Sequence, residues 1–504
     1  MAGMLTAHEA RTVVAAETPL LDRGEPLMAL AARAVSTAVA RLLRERRSRV
    51  AGAVVHVLVG GGNNGADALY AAAELAARGA AVTAVLLGSR THEAAATAAR
   101  AAGVALVPAD ALPEGAGRAA AGDAVVDGIT GIGAEAGLRE PAASFVARLV
   151  DALAGADGGR RPLVVAVDVP SGVGVDDGRL VGPVLAADLT VTMGTAKPGL
   201  LLPPAALLAG EVLVVDLGLD LAGADPAVVR LERGDVARLW PVPSPRDHKY
   251  SRGVLGVVAG SAGYPGAAVL ATSAAAPLVG MVRYLGPDRA ADAVLARHPE
   301  VVHGDGRVQA WLVGSGIGTD DDARLAQARD ALERGLADGL PVVVDAGGLD
   351  VLPERVPATV VLTPHAGELA RLLAARGHDV TREEIEERPV EHLRLAVAAT
   401  GATVLLKGAV TLVAGPGTPV HAQADGTSWL ATAGAGDVLA GVVGAVLAGA
   451  SDRCRTDAAA VAPLVAAAAL LHGRAARRAS GGGPIVAGDV ARAVGAVIAE
   501  ILED

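Results

Sequence analysis

Val54–Val59 is a run of branched apolar residues broken only by His56, and it ends in Gly60-Gly61-Gly62-Asn63-Asn64-Gly65 before a helical pattern over 66–78. Apolar runs without alternation recur at 82–87, 124–127, 163–169, Leu189–Met193 and 212–217, with helical stretches between several of them. A strand apolar on both sides has to be covered on both faces, which is the condition of a parallel sheet. Alternation of such strands with helices predicts a doubly wound, Rossmann-like α/β domain with right-handed crossovers. A second series follows at 253–258, Ala310–Val313, 342–345, Val360–Leu362, 404–406 and 410–413, and 436–502 reads as nearly all helix. Between the two series, Pro226, Pro241, Pro243 and Pro245 cluster over 225–248, a linker composition. The expected boundary is residue 228, giving domains 1–228 and 229–504.

Composition narrows the class. The 504 residues suggest two to four domains at roughly 150 residues each. A 52% hydrophobic share supports large cores, yet the chain has only three Trp, four Tyr and one Phe. Those cores must be built from Ala, Val and Leu, and base-stacking platforms for nucleic acid are missing. A formal charge of −11 also disfavours a polyanion partner. Cys454 is the single cysteine, which excludes an intramolecular disulfide and a thiolate zinc cluster and fits a reducing cytoplasm. The opening residues lack the apolar core of a secretory signal. The longest apolar runs, 438–450 and 458–471 (the latter interrupted by Pro463), fall short of the ~20 residues that span a bilayer, so no membrane partner is expected.

In a doubly wound sheet the ligand crevice lies at the carboxyl ends of the strands. Four polar turns sit there in the first series: Asn63 to Asp67, Asp127 to Gly133, Asp168-Val169-Pro170-Ser171-Gly172, and Lys197-Pro198-Gly199. Glycines allow close approach of a ligand to backbone, and the following helix offers free N–H groups to a phosphate. Asn63, Asn64 and Asp67 supply hard oxygen donors, suited to a cation or to sugar hydroxyls.

This set resembles the N-terminal domain of the YjeF family, the NAD(P)H-hydrate epimerases, together with the opening Leu5-Thr6-Ala7-His8-Glu9-Ala10-Arg11 and Leu27-Met28. The resemblance implies that Asn63, Asn64, Gly65, Ala66 and Asp67 line the dinucleotide, as do Gly131, Ile132, Gly133, Ala134, Glu135, Ala136 and Gly137. It implies a potassium ion held by Asn64, Asp127 and Ser171, with the catalytic Asp168 touching the hydrated nicotinamide. Ala66 and Ala68 stand where the family usually has glycine, each adding a methyl expected near the ligand.

In the second series, Thr432-Ala433-Gly434-Ala435-Gly436-Asp437 runs directly into an apolar helix. Its N–H groups and helix dipole can hold a transferring phosphoryl group while Asp437 takes a proton from a hydroxyl. Lys407 to Thr411 offers a cation and a hydroxyl to phosphates. Thr363-Pro364-His365-Ala366-Gly367-Glu368 and Gly314-Ser315-Gly316 each follow a strand. His365 reads either as a helix cap or as a substrate contact, and the second is preferred. These segments resemble the family's ribokinase-like C-terminal domain, the nucleotide-dependent NAD(P)H-hydrate dehydratases. By that resemblance Ala267, Gly316, His365 and Asp437 contact the hydrated nucleotide, with Asp437 catalytic. Lys407, Gly408, Ala409, Val410, Thr411 and Gly436 contact ADP, which enters with Mg2+. Gly347 replaces a second aspartate that the family usually carries, and Pro277 to Met281 replaces a more glycine-rich segment.

The expected activity is repair of NAD(P)H that has added water across C5–C6: epimerisation of the two C6 forms, then ADP-driven dehydration of the S form. The expected assembly is a homo-oligomer. Two rivals stay open, a ribokinase-like small-molecule kinase with a regulatory first domain and a non-catalytic nucleotide sensor.

Overall fold

A computed structural model describes residues 4–111, 114–155 and 161–503. The chain forms two compact units, Thr6–Val228 and Val229–Asp504, the latter grouped with Met1–Leu5. The first contains seven parallel strands: β1 (Val54–Val59), β2 (Ala81–Leu86), β3 (Ala105–Pro108), β4 (Ala124–Gly128), β5 (Leu163–Val167), β6 (Leu189–Met193) and β7 (Glu211–Val215). Their order is β3-β2-β1-β4-β5-β6-β7, so the chain reverses direction across the sheet between β1 and β4. A ligand crevice opens at that switch point in doubly wound folds.

The turn after β1 is as tight as its glycines allow. A Cβ on Gly60 would lie 1.8 Å from the Ile129 carbonyl oxygen, and one on Gly65 would lie 2.1 Å from that of Gly60. The helix therefore begins at Asn63 and runs to Ala77, three residues earlier than its apolar pattern suggests, with Asn64 and Asp67 in its first turns. Ala68 is fully buried and would meet a Cβ on Gly128 at 2.4 Å. Its methyl fills the helix–sheet interface instead of facing a ligand, which corrects the expectation for that position.

The second unit continues with β8 (Val254–Val258), β9 (Met281–Tyr284), β10 (Val302–His303), β11 (Ala310–Val313), β12 (Val342–Val344), β13 (Val360–Leu362), β14 (Thr403–Leu406), β15 (Thr411–Ala414) and β16 (Val420–Gln423). Within the sheet these run β16-β15-β14-β13-β12-β11-β8-β9-β10. They are parallel from β10 to β14, and β15 and β16 are antiparallel. One strand of the first unit, β3, and three of the second, β9, β10 and β16, have runs too short or too mixed to register as strands by pattern alone. A helix, Arg233–Leu239, also occupies part of the proline-rich stretch read as linker, closed by a capping box between Glu232 and Asp235.

Helix Ala435–Gly449 is buried from Val438 through Ala448. It packs so closely on helix Pro265–Ala275 that a Cβ on Gly441 would stand 2.2 Å from the Ala271 carbonyl oxygen. The helical stretch Ala458–Ser480 does meet the length and apolarity of a membrane span, contrary to the expectation that the 458–471 run falls short of one. Pro463 does not interrupt it, because its missing N–H falls in the first turn, where no partner is required. Of its most apolar window, 78% is buried within the fold, as expected of a core helix.

Gly60→Ala should destabilise the first unit by about 1–3 kcal/mol through overpacking against Ile129. Gly62→Ala, with nothing within 4 Å of its added methyl, should leave the urea midpoint close to wild type.

Candidate functional site

The first unit gathers its polar turns at the carboxyl ends of β1, β4, β5 and β6. Asp127 is fully buried and accepts from Ser171 N at 2.8 Å, Ser171 Oγ at 2.6 Å and Ile129 N at 3.3 Å. Burial pushes its pKa up, and those three hydrogen bonds only partly oppose the shift. Asn64 Nδ2 donates to the Thr130 carbonyl at 2.7 Å, which orients the amide, and Thr130 N donates to Ser171 Oγ at 2.9 Å. An amide oxygen, a carboxylate and a hydroxyl are thereby held together around one buried negative charge. That donor chemistry fits a hard cation of low charge. Among the described residues no cluster of three His, Cys, Asp or Glu side chains offers a transition-metal cage.

Asp168 has φ +67°, a left-handed conformation costly for a residue with a Cβ. Its carboxylate is held on every side. Oδ2 accepts from Ile132 N at 3.1 Å. Oδ1 accepts from Thr192 Oγ1 at 3.2 Å, Met193 N at 3.3 Å and Lys197 Nζ at 2.5 Å. Lys197 is 1% exposed and also donates to Thr192 Oγ1 and the Met193 carbonyl. Sequence reading quoted Lys197 without giving it a task; a lysine at a strand's carboxyl end before Pro-Gly was the available signal. Asp67 lies in the same neighbourhood. Burial, then the charges of Asp168 and Glu17, push its pKa up to about 8, and its Oδ1 is buried without a hydrogen-bond partner. Glu17, on helix Ala10–Asp22, carried no sequence signal at all. Asn63, Gly133 and Glu135 are exposed at the rim, and Gly65 and Ala66 are buried beneath it. Gly131 packs on the Asn64 side chain, while Ile132, Ala134, Ala136 and Gly137 are partly exposed, Gly137 with φ +94°.

In the second unit the turns after β8, β11, β12, β13 and β14 adjoin one another in the sheet. Asp345, at the end of β12, accepts from Ser315 Oγ, Thr363 Oγ1 and Lys407 Nζ at 2.8, 2.8 and 3.0 Å. Lys407 also lies 3.4 Å from Glu368 Oε2. Burial works against its charge, but Asp345 and Glu368 hold its pKa above the ordinary value. The buried residues Asp345, Glu368, Ser315 and Thr363 were not singled out from sequence as site residues. A Cβ at Gly347 would sit 2.3 Å from the Ile317 carbonyl oxygen, so this backbone has no room for a second aspartate there.

His365 caps helix Ala366–Ala374, with Nδ1 accepting from Gly367 N and Glu368 N, and the exposed ring places Nε2 3.6 Å from Glu368 Oε1. The capping alternative is thus realised at Nδ1, leaving only Nε2 for a ligand. Gly316, at φ +67°, abuts Ala267. Gly408 and Ala409 form the exposed turn between β14 and β15, followed by buried Val410 and half-buried Thr411. Gly434, at φ +87°, caps helix Ala435–Gly449; a Cβ on Gly436 would lie 3.5 Å from Lys407 Nζ. Asp437 stands in the first turn. Burial first, then the Asp345 and Glu368 charges, raise its pKa to about 7 against the opposing pull of Lys407.

Comparison with known proteins adds a second line of observation. A family model described as NAD(P)H-hydrate dehydratase matches residues 255–492, and one described as YjeF-related protein N-terminus matches 24–199. A bifunctional NAD(P)H-hydrate repair enzyme of Mycobacterium tuberculosis (strain ATCC 25618 / H37Rv) is 47% identical over 452 residues, 87% of this chain and 88% of its own. An NAD(P)H-hydrate epimerase of Clavibacter sepedonicus is 49% identical over 224 residues, 44% of this chain and 93% of its own. A solved ADP/ATP-dependent NAD(P)H-hydrate dehydratase of Bacillus subtilis, co-crystallized with ATP/Mg2+, is 23% identical, covers 54% of this chain and 97% of its own, and has a TM-score of 0.46.

Asp437 should titrate near pH 7 in a carboxyl NMR experiment, well above an ordinary aspartate. Asp345→Asn removes a raising charge and frees Lys407, so the Asp437 midpoint should move down; an unchanged midpoint would show that burial alone sets it.

Proposed function

The chain belongs to the family of bifunctional NAD(P)H-hydrate repair enzymes, and from that premise we propose how its two sites divide the work. It epimerises hydrated NAD(P)H in its N-terminal part and dehydrates it in its C-terminal part. We assign epimerisation to residues 1–228 and dehydration to 229–504. In the first site Asn64, Asp127 and Ser171 hold a potassium ion that supplies the positive charge Asp127 otherwise lacks. Asn63 to Asp67 and Gly131 to Gly137 receive the dinucleotide.

Asp437 carries the reading of the second site. A carboxyl poised near neutrality, in the first turn of a helix and beside Lys407, suits a general base acting on a hydroxyl next to bound phosphates. Asp437 takes the C6 hydroxyl proton, and that oxygen attacks the terminal phosphoryl group of ADP, releasing AMP. Phosphate then leaves C6, assisted by the ring nitrogen's lone pair, and loss of a C5 proton restores NAD(P)H. Lys407 to Thr411 and Gly436 bind the nucleotide, while Ala267, Gly316 and His365 receive the substrate. The Mg2+ that accompanies ADP offsets phosphate charge. Phosphorylation is necessary because hydroxide is a poor leaving group. Cys454, buried and unpaired, fits a reducing cytoplasm, and we expect the chain to work as a homo-oligomer.

The direct test is incubation of the protein with hydrated NADH and ADP, following the return of the reduced-nicotinamide absorbance. Asp437→Asn should lower dehydration by about 10²–10⁴-fold, the usual range for a lost general base, and should spare epimerisation. Asp127→Ala should impair epimerisation alone, and replacement of potassium by lithium should reproduce that defect in wild type. Indifference of the epimerase to both changes would remove the cation from the first site.

A further inference from the structure

The first site holds two aspartates in opposite chemical circumstances. Asp168 is gripped by four donors, one of them the buried ammonium of Lys197, so its carboxyl oxygens are fixed by hydrogen bonds and an ion pair. The charged groups that raise Asp67 are Asp168 and Glu17, both carboxyls, and its Oδ1 is buried and unpartnered. Lys197 bears on Glu17 and bonds Asp168, so its single charge is already shared between them. A carboxyl placed this way keeps its proton at neutral pH, with a midpoint of about 8. One acid and one base therefore stand in the same crevice, a pairing set by environment alone.

Building on the epimerase reading above, we propose that Asp67 and Asp168 are the catalytic acid and base of a ring-opening epimerisation, with Lys197 the positioning residue that holds the Asp168 carboxyl in place. Asp168 takes the C6 hydroxyl proton as the O–H pair forms a C6 carbonyl. The C6–N1 bond breaks, its electron pair goes to N1, and N1 takes the Asp67 proton. The product is an open aldehyde with an enamine nitrogen. Rotation about C5–C6 presents the other face of the carbonyl to N1, and the reverse transfers close the ring with inverted configuration and restore both carboxyls. No oxidant and no water molecule is consumed. The competing route, loss of hydroxide to a C6 iminium, is disfavoured by the chemistry of the dehydration itself: that iminium needs only to lose a C5 proton to become NAD(P)H. Reaching it in the first unit would make the nucleotide-driven second unit redundant.

Three measurements on the full chain test this. With R hydrate and ADP, where NADH recovery requires epimerisation first, Asp67→Asn should slow turnover by about 10²-fold or more, mainly in kcat. The S hydrate should be consumed at the wild-type rate, and Asp67→Glu should restore part of the loss. The wild-type epimerase rate should fall above about pH 8 as Asp67 loses its proton, and that limb should vanish in Asp67→Asn. A merely structural role for Asp67 would leave the limb in place. In ¹⁸O-labelled water without ADP, S hydrate formed from R hydrate should carry no label. One ¹⁸O gained per inversion would overturn the ring-opening route, and near-normal Asp67→Asn activity would overturn the acid assignment. A wild-type chain that leaves R hydrate unchanged would instead fail the epimerase reading itself.

Discussion

Each unit places a lysine on a buried aspartate at the carboxyl ends of a parallel sheet: Lys197 on Asp168, and Lys407 on Asp345. These pairs are the constraint from which both sites follow. A sheet covered on both faces has nowhere but its strand ends to present charge. A charge placed there without a partner would cost several kcal/mol. Each pair is therefore surrounded by further donors: Thr192, Met193 N and Ile132 N around Asp168, Ser315 and Thr363 around Asp345. Removing either lysine would strand a buried carboxylate, a change that typically costs about 3–5 kcal/mol. Stability and chemistry are therefore not separable at these positions.

The cores that support the pairs are built from small residues, and that choice has geometric consequences. Gly60, Gly65, Gly128 and Ala68 bring a helix against the ends of β1 and β4 at distances that no larger side chain would permit. Gly441 and Gly444 do the same for helix Ala435–Gly449, against Ala271 and Leu255. Close approach fixes the first turns of both helices, and those turns carry Asn64 and Asp67 in one unit and Asp437 in the other. A chain with eight aromatic residues cannot fill its interior with large rings. It reaches native packing by shortening the distances between backbones instead.

Much of this was legible in the sequence because it depends on local pattern. The β1–turn–helix unit, the switch-point turns and the Gly434 to Asp437 loop all announce themselves by spacing. The Asp345–Lys407–Glu368 cluster did not, since its members come from three strand ends that become neighbours only when β12, β13 and β14 pair. Glu17 is a further case: one glutamate on an amphipathic helix looks like any other until tertiary structure brings it to Asp67. Ala68 shows the opposite failure. Its position in the motif suggested a ligand contact, but helical geometry turns it 100° from its neighbour and into the sheet. Short strands such as β10 and β16 went unread because pairing, not propensity, makes them strands.

The two perturbed aspartates show how one physical cause serves two chemistries. Burial is the largest contribution to both shifts, raising Asp67 to about 8 and Asp437 to about 7. Charges of both signs bear on Asp437, whereas those that raise Asp67 are both carboxyls. Asp437 has Lys407 pulling its pKa back down against Asp345 and Glu368, which leaves it at about 7 and fit to accept a proton. Asp67, raised further by Asp168 and Glu17 to about 8, is fit to give one. The distinction could not have been made from residue type or from position after a glycine-rich turn, which the two share. It rests on which charges reach each carboxyl: Lys407 bears on Asp437 while also pairing with Asp345, and Lys197 bears on Asp168 and Glu17.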